Sequence, residues 1–171
     1  TLLMLTALRP CELRGARWDE IDTDRALWRV PAARMKMKTE HTVPLSKQAV
    51  QLLKGLQRVD GTDLLFPSPR KNTILSDMSM TAVMRKMNAG AVPHGFRSTF
   101  RDWAAEMTNF SDVIVEKAMA HAVGDKTVAA YLRSTVFQKR ARVMQSWADF
   151  CDRQRDNTKG KVVPIKQPSA A

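Results

Sequence analysis

Tyr131 is the only tyrosine in the 171-residue chain, and its phenolic oxygen is a nucleophile of the kind that forms covalent intermediates. A lone tyrosine on a helix is more often packing than chemistry, so its company decides. His94-Gly95-Phe96-Arg97 sets a histidine and an arginine three residues apart at a predicted helix start, which puts both on one face. A guanidinium there can donate two parallel hydrogen bonds to a phosphate, and the helix N-terminus adds partial positive charge. His121 comes ten residues before Tyr131. Far upstream, Arg9 stands at another predicted helix start with Glu12 three residues on, close enough to hold the guanidinium in place. Each pair taken singly has a plainer reading: Arg9 with Glu12 is a surface ion pair, and His94 with Arg97 a solvated helix start.

The elements that carry these residues follow from periodicity. Residues 1 to 18 place Leu2, Leu5, Leu8, Leu13 and Trp18 in a helical pattern broken by Pro10, so one helix should end and another begin near Arg9. Residues 19 to 24 read as an acidic turn, and 26 to 30 and 35 to 45 as two strands of a small sheet. The basic hairpin between them offers Lys36 and Lys38, which in isolation are simply charged, while His41 reads as a strand residue or a phosphate neighbour. Ser46 should cap a helix, residues 64 to 69 are extended, and 70 to 77 form a polar loop. Helices are predicted at about 79–88, 95–107, 111–120 and 126–134. A last one, about 137–155, carries Val143, Trp147 and Phe150 on an apolar face that needs a cover.

Lys and Arg total 28 against 17 Asp and Glu, a formal charge of +11 that favours a polyanionic partner, nucleic acid first. The 44% hydrophobic content suits one globular domain, expected over residues 1–156 with a flexible tail at 157–171. No eighteen-residue apolar run predicts a membrane-spanning helix. The opening Thr1-Leu2-Leu3-Met4-Leu5 reads as a helix cut mid-stride, so an N-terminally truncated fragment is expected. Cys11 and Cys151 read as two buried thiols of a reducing cytoplasm, without metal-like spacing. Met35, Met37, Met78, Met80, Met84 and Met87 read as packing rather than a cofactor box.

Together these motifs resemble the tyrosine recombinases, the lambda-integrase family. Ala7-Leu8-Arg9-Pro10-Cys11-Glu12-Leu13, followed by Trp18-Asp19-Glu20-Ile21-Asp22, is similar to the family's first arginine box. His94-Gly95-Phe96-Arg97 resembles its His-x-x-Arg box, and Ala130-Tyr131 its nucleophile position. Met35-Lys36-Met37-Lys38 before Val43-Pro44-Leu45 resembles the hairpin of the catalytic lysine, with the spacing to Val43 favouring Lys36 over Lys38. Met119-Ala120-His121 departs from the usual Leu-Gly-His, and the interval from His121 to Tyr131 is one residue longer than in many members. The likeness covers roughly residues 1 to 150 and is nearest to integrases of prophages and genomic islands.

The resemblance implies an α+β, mainly α, catalytic domain with a small antiparallel β-sheet near residues 25 to 45 and 64 to 67. It implies that Arg9, Arg97 and His121 hold a DNA phosphate, Glu12 supports Arg9, Lys36 acts as general acid and His94 assists. Tyr131 would form a 3′-phosphotyrosine, with no metal or cofactor. Implied partners are double-stranded DNA at attachment sites, a tetramer of the protein on that DNA, an excisionase and a host DNA-bending protein, all in the cytoplasm. Trp147 and Phe150 read as packing the last helix on its own chain, with docking on a neighbouring protomer as the alternative the resemblance implies. A non-catalytic DNA-binding remnant or regulator is the competing reading, and retention of all six catalytic residue types argues against it. A type IB topoisomerase shares the tyrosine chemistry, but the surroundings of the boxes here are integrase-like.

Overall fold

Pro10 sets the first break in the chain. A residue before proline is pushed to extended backbone, and Arg9 lies at φ −74°, ψ 148°. Helix α1 (Leu2–Thr6) ends ahead of it and α2 (Pro10–Arg14) begins on the proline, as the sequence predicts. Ala7 turns the corner in the left-handed region, at φ 49°. The computed structural model describes residues 1–69, 72–121 and 136–158.

Beyond a short 3-10 turn, Asp22 accepts hydrogen bonds at Oδ1 from the backbone N–H groups of Asp24 and Arg25. That turn folds β1 (Ile21–Asp22) back along β2 (Leu27–Val30), and β3 (His41–Pro44) completes an antiparallel sheet in the order β1-β2-β3. Trp28 stands opposite Val43 and Val30 opposite His41. Trp28, Val30 and Val43 are fully buried while Arg29 faces solvent, the period of two that a half-covered sheet requires. Three expectations are corrected here. The acidic turn contributes a strand, because Ile21 pairs with Trp28. The second strand shrinks to His41–Pro44, and 36–40 form an exposed loop with Lys38 at φ 52°. Residues 64–67 add no strand; they make single bridges, Arg17 with Leu64 and Pro67 with Ile74, and Pro67 has no N–H to extend a ladder.

Ser46 caps α3 (Lys47–Lys54), accepting from the Ala49 N–H at 3.2 Å. Helices α4 (Ser79–Lys86), α5 (Gly95–Met107), α6 (Asp112–Ala118) and α7 (Val136–Thr158) follow. The predicted helix at 126–134 and most of the predicted tail lie outside the described residues. Helix α6 stops short of residue 120 because a Schellman turn ends it. The Ala120 N–H donates to Lys117 O at 3.2 Å and the His121 N–H to Glu116 O at 2.9 Å, with Ala120 left-handed at φ 54°.

Two apolar clusters result. One joins α1, α2, the sheet and α3 through Leu2, Leu5, Leu13, Trp28, Val43 and Leu53. The other joins α5, α6 and α7 through Phe100, Trp103, Ile114, Val115, Val143 and Trp147. Helix α7 thus covers its apolar face on its own chain. The Trp147 ring lies 5.1 Å from Trp103 and 5.5 Å from Phe100, centroid to centroid, and its Nε1–H donates to Met4 O at 2.8 Å. Two composition-based expectations also change. Met37, Met78 and Met87 are exposed, while Met35 is buried in the cluster around the sheet. Cys11 is exposed on the outer side of α2 and Cys151 only half-buried on α7. No helix among the described residues is long and apolar enough to cross a membrane.

Trp147 is 2% exposed and touches three other aromatic rings, so its removal leaves a cavity that the surrounding rings cannot close. Trp147→Ala should destabilise the fold by about 3–5 kcal/mol. Urea unfolding followed by circular dichroism checks this; an unchanged midpoint would mean that α7 does not close this core.

Candidate active site

Arg97 enters the structure in the first turn of α5 and ends up 4% exposed. A buried charge must be hydrogen-bonded or paired, and the local backbone supplies the partners. One Nη1–H donates to Ala7 O, at the corner between α1 and α2. Nη2 donates to Met119 O at 2.8 Å, at the end of α6, and lies 2.7 Å from the Nε2 atom of His121. Each accepting carbonyl adjoins a left-handed alanine, Ala7 or Ala120, so the two strained turns aim their oxygens at one guanidinium. The replacement of Leu-Gly-His by Met119-Ala120-His121 is therefore accommodated: Ala120 adopts the conformation glycine prefers.

Arg9 lies beside this group. Glu12 is fully buried and accepts from the Arg9 backbone N–H at 2.8 Å and from its guanidinium at 3.0 Å. The carboxylate thus caps α2 and fixes the arginine with one side chain. Burial first, and the neighbouring Arg9 cation second, pull the Arg97 guanidinium down to about 10, while Glu12 and Glu116 oppose that shift. It stays charged at neutral pH. His121 completes the cluster: its Nδ1 contacts a Glu116 carboxylate oxygen, and the other oxygen of Glu116 pairs with Arg101 at 2.9 Å. Two fixed cations and an imidazole on rigid helix ends make an arrangement suited to holding an anion with developing negative charge.

The structure thus brings together Arg9, Glu12, Arg97 and His121. His94 is exposed at the start of α5, one turn from Arg97, and its carbonyl accepts the Arg97 N–H at 3.2 Å. Lys36 is exposed in the β2–β3 loop, next to the buried Met35, and among the described residues no hydrogen bond ties it to the arginines. Tyr131 lies outside the described residues. Sequence reasoning missed one neighbour, Glu116, and the burial of another, His41. Glu116 precedes His121 by five residues, a spacing that points away on a straight helix and becomes a contact only through the turn at Ala120. His41 reads as a strand residue or a phosphate neighbour, and in the structure it is 9% exposed, its Nε2 without a hydrogen-bond partner among the described residues. Its burial could be foreseen only from the alternation with Val43 in β3.

Burial first, then the Arg140 cation, with smaller pushes from Arg97 and Arg9, lowers His41 from 6.5 to about 4, against an opposing backbone hydrogen bond at Ala118. The folded chain keeps His41 neutral where the unfolded chain already takes up a proton. Its contribution to stability is complete above about pH 6.5 and lost as pH falls toward 4. We expect a loss of about 3 kcal/mol across that window, read from denaturant midpoints and reduced in His41→Asn. Equal acid sensitivity in that variant would assign the loss to other groups.

Comparison with known proteins identifies the family and the fold. The phage integrase family matches residues 1–137. The integrase of Enterobacteria phage P4 is 37% identical over 174 residues, covering 91% of this chain and 40% of that protein. The chain therefore spans about two-fifths of the length of that relative. The solved integrase from mycobacterium phage Brujita has the same fold, with a TM-score of 0.62 at 21% identity over 84% of this chain and 48% of that one. A lambda integrase (75-356) dimer, solved bound to a COC′ core site, gives 0.51 at 20% identity over 81% and 49%. With its boxes in family order and its mainly helical, small-sheet fold, the chain belongs to the phage integrase family of tyrosine recombinases.

Proposed function

We propose that this chain is the DNA-cleaving part of a site-specific recombinase that integrates or excises a prophage or genomic island. The observation that carries the reading is the buried Arg97 guanidinium, preset by two carbonyls and His121 beside the Glu12-held Arg9. Cleaving a phosphodiester gathers negative charge on the non-bridging oxygens of a five-coordinate transition state. Arg9 and Arg97 offset that charge without reorganising, and His121 adds a third polar group. Tyr131 attacks the phosphorus, and the bond to the departing 5′-oxygen breaks as Lys36 protonates it. His94 assists the tyrosine hydroxyl or the phosphate. The resulting 3′-phosphotyrosine conserves the bond energy, so a 5′-hydroxyl from another strand can reverse the step and reseal the DNA.

The +11 charge supports double-stranded DNA as partner, and the lambda integrase structure supports it by analogy. Recombination of two attachment sites calls for four copies, with an excisionase and a host bending protein setting direction. These belong to the proposal, as does work in the cytoplasm.

The test is covalent capture of a nicked duplex taken from the junction that flanks the gene, using the intact gene product. Tyr131→Phe should abolish the adduct and leave DNA binding nearly intact, since phenylalanine keeps the ring and removes the only phenolic oxygen. Arg97→Lys should cost on the order of a hundred-fold or more in rate, because an ammonium lacks the planar fork. An adduct surviving in Tyr131→Phe rules out Tyr131 as nucleophile. No adduct in the unaltered protein favours a non-catalytic DNA-binding remnant.

A further inference from the structure

Glu116 has no place in the chemistry above, yet it forms the outer end of a chain of contacts that leads to Arg97. Its two carboxylate oxygens are divided: one faces Nδ1 of His121, the other pairs with Nε of Arg101 at 2.9 Å. The far ring nitrogen of His121 lies 2.7 Å from Nη2 of Arg97. A guanidinium can only donate, so Nε2 must be the acceptor, and the ring proton must sit on Nδ1, where Glu116 accepts it. We propose that Glu116 is a positioning residue that holds His121 as its Nδ1–H tautomer and thereby keeps the Arg97 guanidinium in register. The inference rests on the recombinase reading for its consequence in DNA cleavage, though not for the tautomer itself.

The backbone reinforces the assignment. The Schellman turn that ends α6 brings the His121 N–H onto Glu116 O at 2.9 Å, so both residues are joined by main chain and side chain at once. Glu116 and Arg97 also interact favourably through space, on opposite sides of the imidazole. Without Glu116 the ring can rotate about its side-chain bonds, or carry its proton on Nε2 and face Arg97 donor to donor. Either change loosens one of the three described contacts that hold the guanidinium. The competing reading is that Glu116 is only a staple between α5 and α6 through Arg101. Arg101 has 67% of its side chain exposed, where an ion pair contributes little.

The chain has three histidines, His41, His94 and His121, so long-range proton–nitrogen correlation spectra resolve each ring after assignment by single substitution. In the unaltered chain without DNA, His121 should show the Nδ1–H pattern. Glu116→Gln, whose amide oxygen still accepts from Nδ1, should keep it, and Glu116→Ala should lose it. An Nε2–H pattern in the unaltered chain, or an unchanged pattern in Glu116→Ala, overturns the proposal. On the nicked duplex, Glu116→Ala should slow single-turnover capture by about 10- to 100-fold, the scale lost when a histidine's orienting partner is removed. Glu116→Gln and Arg101→Ala should stay within a few-fold of the unaltered protein. Equal losses in Arg101→Ala and Glu116→Ala identify a staple and contradict the proposal. The expected tautomer with no capture by any form leaves Glu116 in its role and contradicts only the recombinase reading.

Discussion

Arg97 places a full positive charge where 4% of the residue meets solvent, and much of the surrounding architecture answers that one constraint. An unpaired ion in such a site would cost several kcal/mol. Its described partners come from two separate stretches: the α1–α2 corner through Ala7, and the turn that ends α6 through Met119 and His121. None of them carries a formal negative charge. The guanidinium is therefore held in place without being neutralised, and its attraction for an anion survives. Glu12 and Glu116 stand one residue further out, on Arg9 and His121, where they orient the cluster instead of quenching it.

That arrangement is obtained against local preference. A left-handed alanine costs roughly 1–2 kcal/mol, and this chain has one on each side of Arg97. Strain of this kind persists where surrounding packing over-determines it. Ala7 is fully buried within the α5–α7 cluster, and Ala120 packs against the cluster around the sheet. The apolar cores thus hold in place the turns that aim the carbonyls. Helix α7 contributes through Trp147, which donates to Met4 O within α1, and through Arg140, which donates to Thr42 O in β3 at 2.8 Å. One long helix ties the first helix, the sheet and the α5–α6 pair together.

The parts of this site legible in the sequence are those set by short-range rules. Arg9, Pro10 and Glu12 encode their own helix start, with the ion pair built in. The spacing of His94 and Arg97 locates the start of α5. The parts that were not legible depend on backbone atoms or on distant packing. Carbonyl oxygens of Ala7 and Met119 belong to no motif. Glu116 meets His121 only because Ala120 reverses the chain, and the lowered pKa of His41 owes its second cause, after burial, to Arg140, 99 residues away. The sheet was legible as a strand pair, since alternation marks β2 and β3. Its third strand, two residues long, is too short to show a period. The loop bearing Lys36 illustrates the opposite case: its spacing matches the family, while its position here is set by no described contact to the arginines.

The most direct test of this account is a crystal structure of the chain bound to a duplex from the junction flanking its gene. The account predicts one backbone phosphate with its non-bridging oxygens within hydrogen-bonding distance of Arg9 and Arg97, the Ala7 and Met119 carbonyls still in contact with Arg97. DNA bound across another face, with Arg97 enclosed and no phosphate near Arg9, would contradict it.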